Sequence, residues 1–218
     1  MGIKPRFSMV VGALFQLFMI SATGYGYDPA KVEELRATHP HQCTKCDLSG
    51  AELGGWELDD AVLSGSNLKG ANLSDTELGN ADLSQADLSE AGLHRAVLSR
   101  ANLHNATMSK ARLRNATVDH ANLSGTDLSG ADLWDSTLRN ANLQGARLHG
   151  AQLSRANLMY VDFRRADLSR ATLTEADLRG ADLTGASLQG ADLTEAKLSG
   201  AIWVDGRTCK PGSDGVCK

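Results

Sequence analysis

Charge is missing from two columns of positions that run through most of this chain, and that absence organises everything else. One column recurs every fifth residue from Leu48 to Trp203, thirty-two positions filled by Leu except at Met108, Val118, Phe163 and Trp203. The other lies two residues earlier and is Ala at twenty-five sites, the exceptions being Cys46, Trp56, Ser66, Thr76, Thr126, Ser136 and Val161. Aromatic residues are scarce as well, 5% of the chain, so the interior has to be aliphatic. An interior of Leu and Ala offers neither a lumen nor converging polar groups, which excludes a ligand pocket inside it. No nucleophile–base pair or phosphate-cradling loop occurs, so an enzyme is not expected, and no cofactor is implied. His94, His104, His120 and His149 are scattered corner residues rather than a catalytic set. Surplus positive charge is absent too. Residues 46–205 hold 22 acidic against 14 basic side chains, a net of −8, which is wrong for general binding of nucleic acid.

What is present is the period, and a fixed period over most of a chain is read before any local signal. Five residues advance an α-helix by about 500°, so the leucines would point to every side and form no apolar stripe. On a flat strand an odd spacing sends successive leucines to opposite faces. A bent extended chain satisfies the pattern. The small residue and the centre, two apart, both point inward. The residue between them points out, as with Asp47, Glu52, Asn67, Asn72, Asp82, Asp132 and Asn142. The remaining two turn a corner, helped by pairs such as Ser64-Gly65, Ser124-Gly125 and Thr184-Gly185. Corners of one hand, repeated, wind a solenoid.

The units ANLSG (121–125), ADLSQ (81–85) and ADLRG (176–180) resemble the pentapeptide-repeat family, with its A-(N/D)-L-x-x consensus. The resemblance covers residues 46–205. It implies an all-β fold, a right-handed quadrilateral parallel β-helix with four repeats per coil. Thirty-two repeats then make eight coils, a stack about 38 Å tall at the spacing of paired strands.

Four segments follow. Residues 1–24 read as a secretory signal peptide, with Lys4 and Arg6, the apolar run Met9–Ile20, and small residues from Ser21. An uncleaved anchor is the alternative, and both place the rest of the chain outside the cytosol: periplasm, secreted space or thylakoid lumen. Cleavage would leave no stable membrane insertion. Residues 25–45 are a capping segment, where Asp28-Pro29 starts a short helix that ends before Pro40 and covers the first coil with Val32 and Leu35. Residues 46–205 are the β-helix, and 206–218 a closing loop. With the cysteine pairs at opposite ends of a tall solid stack, Cys43 is expected to bond Cys46, and Cys209 to bond Cys217. A zinc site from Cys43, Cys46, His39 and His41 is the rival, short of a clean four-ligand set because Cys46 faces inward. Both flanks resemble those of exported pentapeptide-repeat proteins.

Function therefore belongs to the outer faces. Acids dominate from Asp47 to Asp82, whereas Gly92 to Val118 has none and carries Arg95, Arg100, Lys110, Arg112 and Arg114. If four repeats make a coil, His94, Arg114 and Trp134 stack on one corner. Met159 and Tyr160 fall on the next, giving with Arg112 a candidate interaction patch. The expected role is a non-enzymatic structural or protein-binding scaffold with an unidentified protein partner and possible homodimers through a coil end. The alternative, a DNA mimic binding a type II topoisomerase as some family members do, calls for an acidic rod in the cytosol. The basic midsection and the signal sequence both oppose it.

Overall fold

The protein is a right-handed quadrilateral β-helix, seen in a computed structural model that describes residues 26–218. The signal-peptide segment, 1–24, lies outside the described residues. No helix among the described residues is long and apolar enough to cross a membrane.

Pairing fixes the coil at twenty residues. Each outward residue forms a parallel bridge with the one twenty positions later, from Gln42–Val62 through Asp182–Ile202. The hydrogen bonds follow one scheme around every side. Leu48 N–H donates to Asn67 C=O (2.8 Å), Gly50 N–H to Lys69 C=O (2.8 Å), and Asn67 N–H returns to Cys46 C=O (2.8 Å). Within the corner, Ala51 N–H closes back on Leu48 C=O (3.0 Å). Every fifth residue from Lys45 to Gly200 is left-handed, with φ between 55° and 75°. A four-residue turn with a left-handed third residue has type II character and bends the chain sharply. Twenty of these thirty-two residues are not Gly, so a conformation costing roughly 1–2 kcal/mol each is imposed by the stack and its bonds.

The centres and small residues fill the axis. Leu48, Leu123, Phe163 and Leu183 are buried, as are Ala51, Ala121 and Ala181. Polar members of the small column are satisfied locally, Thr126 Oγ1 donating to Leu103 C=O (2.7 Å) and Ser136 Oγ to Leu133 C=O (2.7 Å). Among the described residues no buried side-chain nitrogen or oxygen lacks a hydrogen-bond partner. Outside, Asn102, Asn122 and Asn142 form a ladder: Asn122 Nδ2 donates to Asn102 Oδ1 (3.2 Å) and Asn142 Nδ2 to Asn122 Oδ1 (3.4 Å).

The ends are closed differently. Helix α1 (Pro29–Ala37) starts at Asp28, whose side chain accepts from Ala30 N–H (2.9 Å), and it buries Leu35 completely on the first coil. Trp56, oversized for the small column, is half-buried there and carries the Arg36 guanidinium 4.8 Å above its ring. Cys43 and Cys46 are bonded (Sγ–Sγ 2.01 Å). At the far end the loop from Gly206 folds back over two sides only. Ser213 and Cys209 carbonyls accept from Leu198 and Gly200 N–H, and Cys209 is bonded to Cys217. The sides at Leu188 and Leu193 stay half-open, and the N–H groups of Leu188, Gly190, Leu193 and Glu195 meet no backbone acceptor among the described residues.

Candidate interaction face

The coil bonding leaves one donor over. In each repeat the N–H of the first corner residue, just after the centre, has no place in the ladder. Sixteen repeats carry Asp or Asn two positions before it, and all sixteen use the side-chain oxygen to accept that N–H. This gives the consensus Asp or Asn a physical role, an Asx turn that locks each corner. Two further corners are served from the coil below, Gly79 N–H by Asp59 Oδ1 (2.7 Å) and Arg139 N–H by Asp119 Oδ1 (2.8 Å).

Five of the carboxylates so used are held below the usual range. Hydrogen bonds from Ser169 hold Asp167 below the usual carboxylate range, and those from Thr194 do so for Asp192. The Arg164 and Arg179 guanidiniums do the same for Asp162 and Asp177. At Asp127 burial works the other way and is outweighed by hydrogen bonds from Ser129 and Arg147. Ten of the sixteen acceptors are Asp, so the outer surface carries seated carboxylates with fixed donors beside them.

The other sixteen outward positions are neither Asp nor Asn, and one of them is bare. Gly92 is the single outward residue of the repeats with no side chain, and it is the floor of a recess of about 680 Å³. Glu52, Asn72 and Ser74 form one end of the recess, and Arg112, Arg114 and Asp132 the other, with His94 along the corner. Asp132 is engaged, accepting from Arg114 Nε (2.5 Å) and Trp134 N–H (3.2 Å). Glu52 is engaged by Asn72 Nδ2 (2.7 Å). Arg112 has no ion-pair or hydrogen-bond partner for its side chain among the described residues. Its Nη2 lies 3.8 Å from where a Cβ on Gly92 would stand.

The structure brings His94, Arg112 and Arg114 into this recess, and Trp134 continues the corner one coil on. Trp134 is half-buried, with Arg114 and Arg155 guanidiniums 5.8 and 5.5 Å from its ring. Met159 and Tyr160 occupy the neighbouring corner. Met159 Sδ receives Arg179 Nη2 (3.7 Å), and Tyr160, 56% exposed, lies over Gly180 so closely that a Cβ there would come within 2.5 Å of the ring. Among the described residues no ring contact joins Trp134 to Tyr160. Gly92, Asn72 and Asp132 also line the recess and Arg155 flanks Trp134, neighbours that the sequence reading does not include. The signal for Gly92 was present, a missing side chain in a column of Asp and Asn. Of the residues considered for zinc, Cys43 and Cys46 are bonded to each other, and His41 Nδ1 lies 2.6 Å from Leu35 C=O.

A family model described as pentapeptide repeats matches residues 42–80, 76–115, 121–159 and 162–200. The chain belongs to the pentapeptide-repeat family. Among solved structures it is similar to HetL, a pentapeptide-repeat protein involved in heterocyst differentiation regulation from the cyanobacterium Nostoc sp. strain PCC 7120. That match has 29% identity over 77% of this chain and 91% of HetL, at a TM-score of 0.45. A thylakoid-lumen pentapeptide-repeat protein of Arabidopsis thaliana is 29% identical, over 43% of this chain and 66% of its own, at 0.42. QnrB1, a plasmid-mediated fluoroquinolone resistance protein, is 20% identical over 73% and 77%, at 0.44. No curated protein matches the chain. As a family, pentapeptide-repeat proteins are generally structural or interaction scaffolds.

Proposed function

We propose that this chain is a non-enzymatic, exported scaffold that captures a protein partner on the flank running from the Gly92 recess to Trp134, with Tyr160 on the adjoining corner. The observation that carries the reading is the contrast between inside and outside. The axis is filled by leucine and alanine, whereas this flank combines a recess, an Arg112 side chain unpaired among the described residues, and two aromatic side chains. Arg, Trp and Tyr are the side chains that dominate binding energy at interfaces, where they lose water and keep rigid shape. Export is supported by the composition of residues 1–24 and by two disulfides, which persist in oxidising compartments. A homodimer through a coil end would use the half-open sides at Leu188 and Leu193.

The test is capture by cross-linking of the mature protein in its own compartment, wild type against Trp134→Ala with Tyr160→Ala. Both side chains lie outside the core, so the double variant is expected to keep the circular dichroism of the parent and to lose at least about tenfold in captured partner. Undiminished capture would remove this flank from the contact.

A further inference from the structure

We infer that the Gly92 recess is a binding site for a carboxylate, supplied by an Asp or Glu side chain of the partner polypeptide. The template stands elsewhere in the same molecule. Asp127 Oδ1 accepts from Ser129 N–H (3.0 Å) two residues on, and Asp127 Oδ2 accepts from Arg147 Nη2 (3.0 Å) twenty residues on. Gly92, His94 and Arg112 hold the same register: corner residue two on, arginine twenty on, bridge Gly92–Arg112 in place of Asp127–Arg147. The carboxylate is gone, and His94 stands where the Ser129 hydroxyl also donates to Asp127 Oδ1 (2.6 Å). Consequently Arg112 has no counter-ion, and the N–H groups of His94 and Arg114 donate to no acceptor among the described residues.

Those groups select the ligand class. A planar guanidinium beside a fixed backbone N–H suits an anion with two acceptor oxygens, and a carboxylate does this in one plane. The acids nearby are already engaged by Arg114 and Asn72, so they compete weakly for Arg112. Space is adequate. A Cβ on Gly92 would meet Ser74 Oγ at 3.7 Å and Arg112 Nη2 and Asn72 Oδ1 at 3.8 Å, all ordinary contacts. The lining also runs along the stack from Glu52 to Asp132, in keeping with an extended chain laying one acidic side chain into the recess.

This inference rests on reading the flank as a partner surface, and amide-resolved NMR of the mature protein tests it separately from partner capture. The probes are sodium acetate and the capped peptides Ala-Ala-Glu-Ala-Ala and Ala-Ala-Gln-Ala-Ala, at matched ionic strength. The Glu peptide is expected to shift the His94 amide saturably, about tenfold more tightly than acetate and at least tenfold more tightly than the Gln peptide. The Ser129 amide, already served by Asp127, should stay in place. Gly92→Asp fills the site from within and should abolish the response, while Arg112→Gln should weaken it about tenfold. Equal response to Glu and Gln peptides, equal movement of Ser129, or an unchanged response in Gly92→Asp would overturn the site. Binding of acetate as tight as the peptide would overturn the polypeptide source. A saturable peptide response in a protein that captures no partner would sink the scaffold reading and leave the carboxylate site standing.

Discussion

Leu123→Ala is expected to cost about 3–5 kcal/mol of stability, read as a fall in the guanidinium midpoint. Leu123 sits mid-stack, buried between coils whose matching centres are Leu103 and Leu143, and its backbone is bonded on both sides, to Asn142 C=O and through the turn to Thr126 N–H. A rigid ladder cannot close around a deleted side chain, so most of the vacated volume persists as a cavity. Leu123→Met should cost under about 1.5 kcal/mol, because volume is conserved and Met108 already occupies the same column. A loss under about 1 kcal/mol for the alanine variant would show that the axis is not close-packed.

The second large effect is at the cap. Leu35→Ala is expected to undock α1 altogether. A helix of nine residues has no independent stability in water, and Leu35 is its single fully buried residue. The N-cap at Asp28 and the exposed Lys31–Glu34 and Arg36–Glu33 pairs add too little to hold it alone. Undocking bares the apolar end of the first coil and unpaired backbone along its edge, which invites association. The checks are loss of helical dichroism near 222 nm and a concentration-dependent rise in sedimentation. An unchanged helix signal in a monomer would show that α1 is held by something other than Leu35.

Much of this fold was legible because burial selects side chains so strongly. Leucine at every fifth position cannot serve a helix or a flat strand, and Asp28-Pro29 marks a helix start in two residues. The number of repeats per coil was different. Nothing in the spacing of Leu48, Leu53 and Leu58 tells whether the fourth or the fifth corner closes a turn, and the family resemblance supplied it. The flank proposed for partner capture depends on that number. Gly92 over Arg112, and Trp134 between Arg114 and Arg155, become neighbours only when the chain is read modulo twenty. Asp59 and Asp119 show the same thing, since each serves a corner in the next coil rather than its own. Trp134 and Tyr160 fall on different corners, a separation that the same count of twenty already gives from the sequence.

High-resolution diffraction from crystals of the protein tests the filled axis most directly. The expected result is outward residues bridged to partners twenty positions away around a column of leucine with no ordered water in it. Water or a bound molecule enclosed along that column, or bridges at any other spacing, would contradict the placement of function on the outer faces.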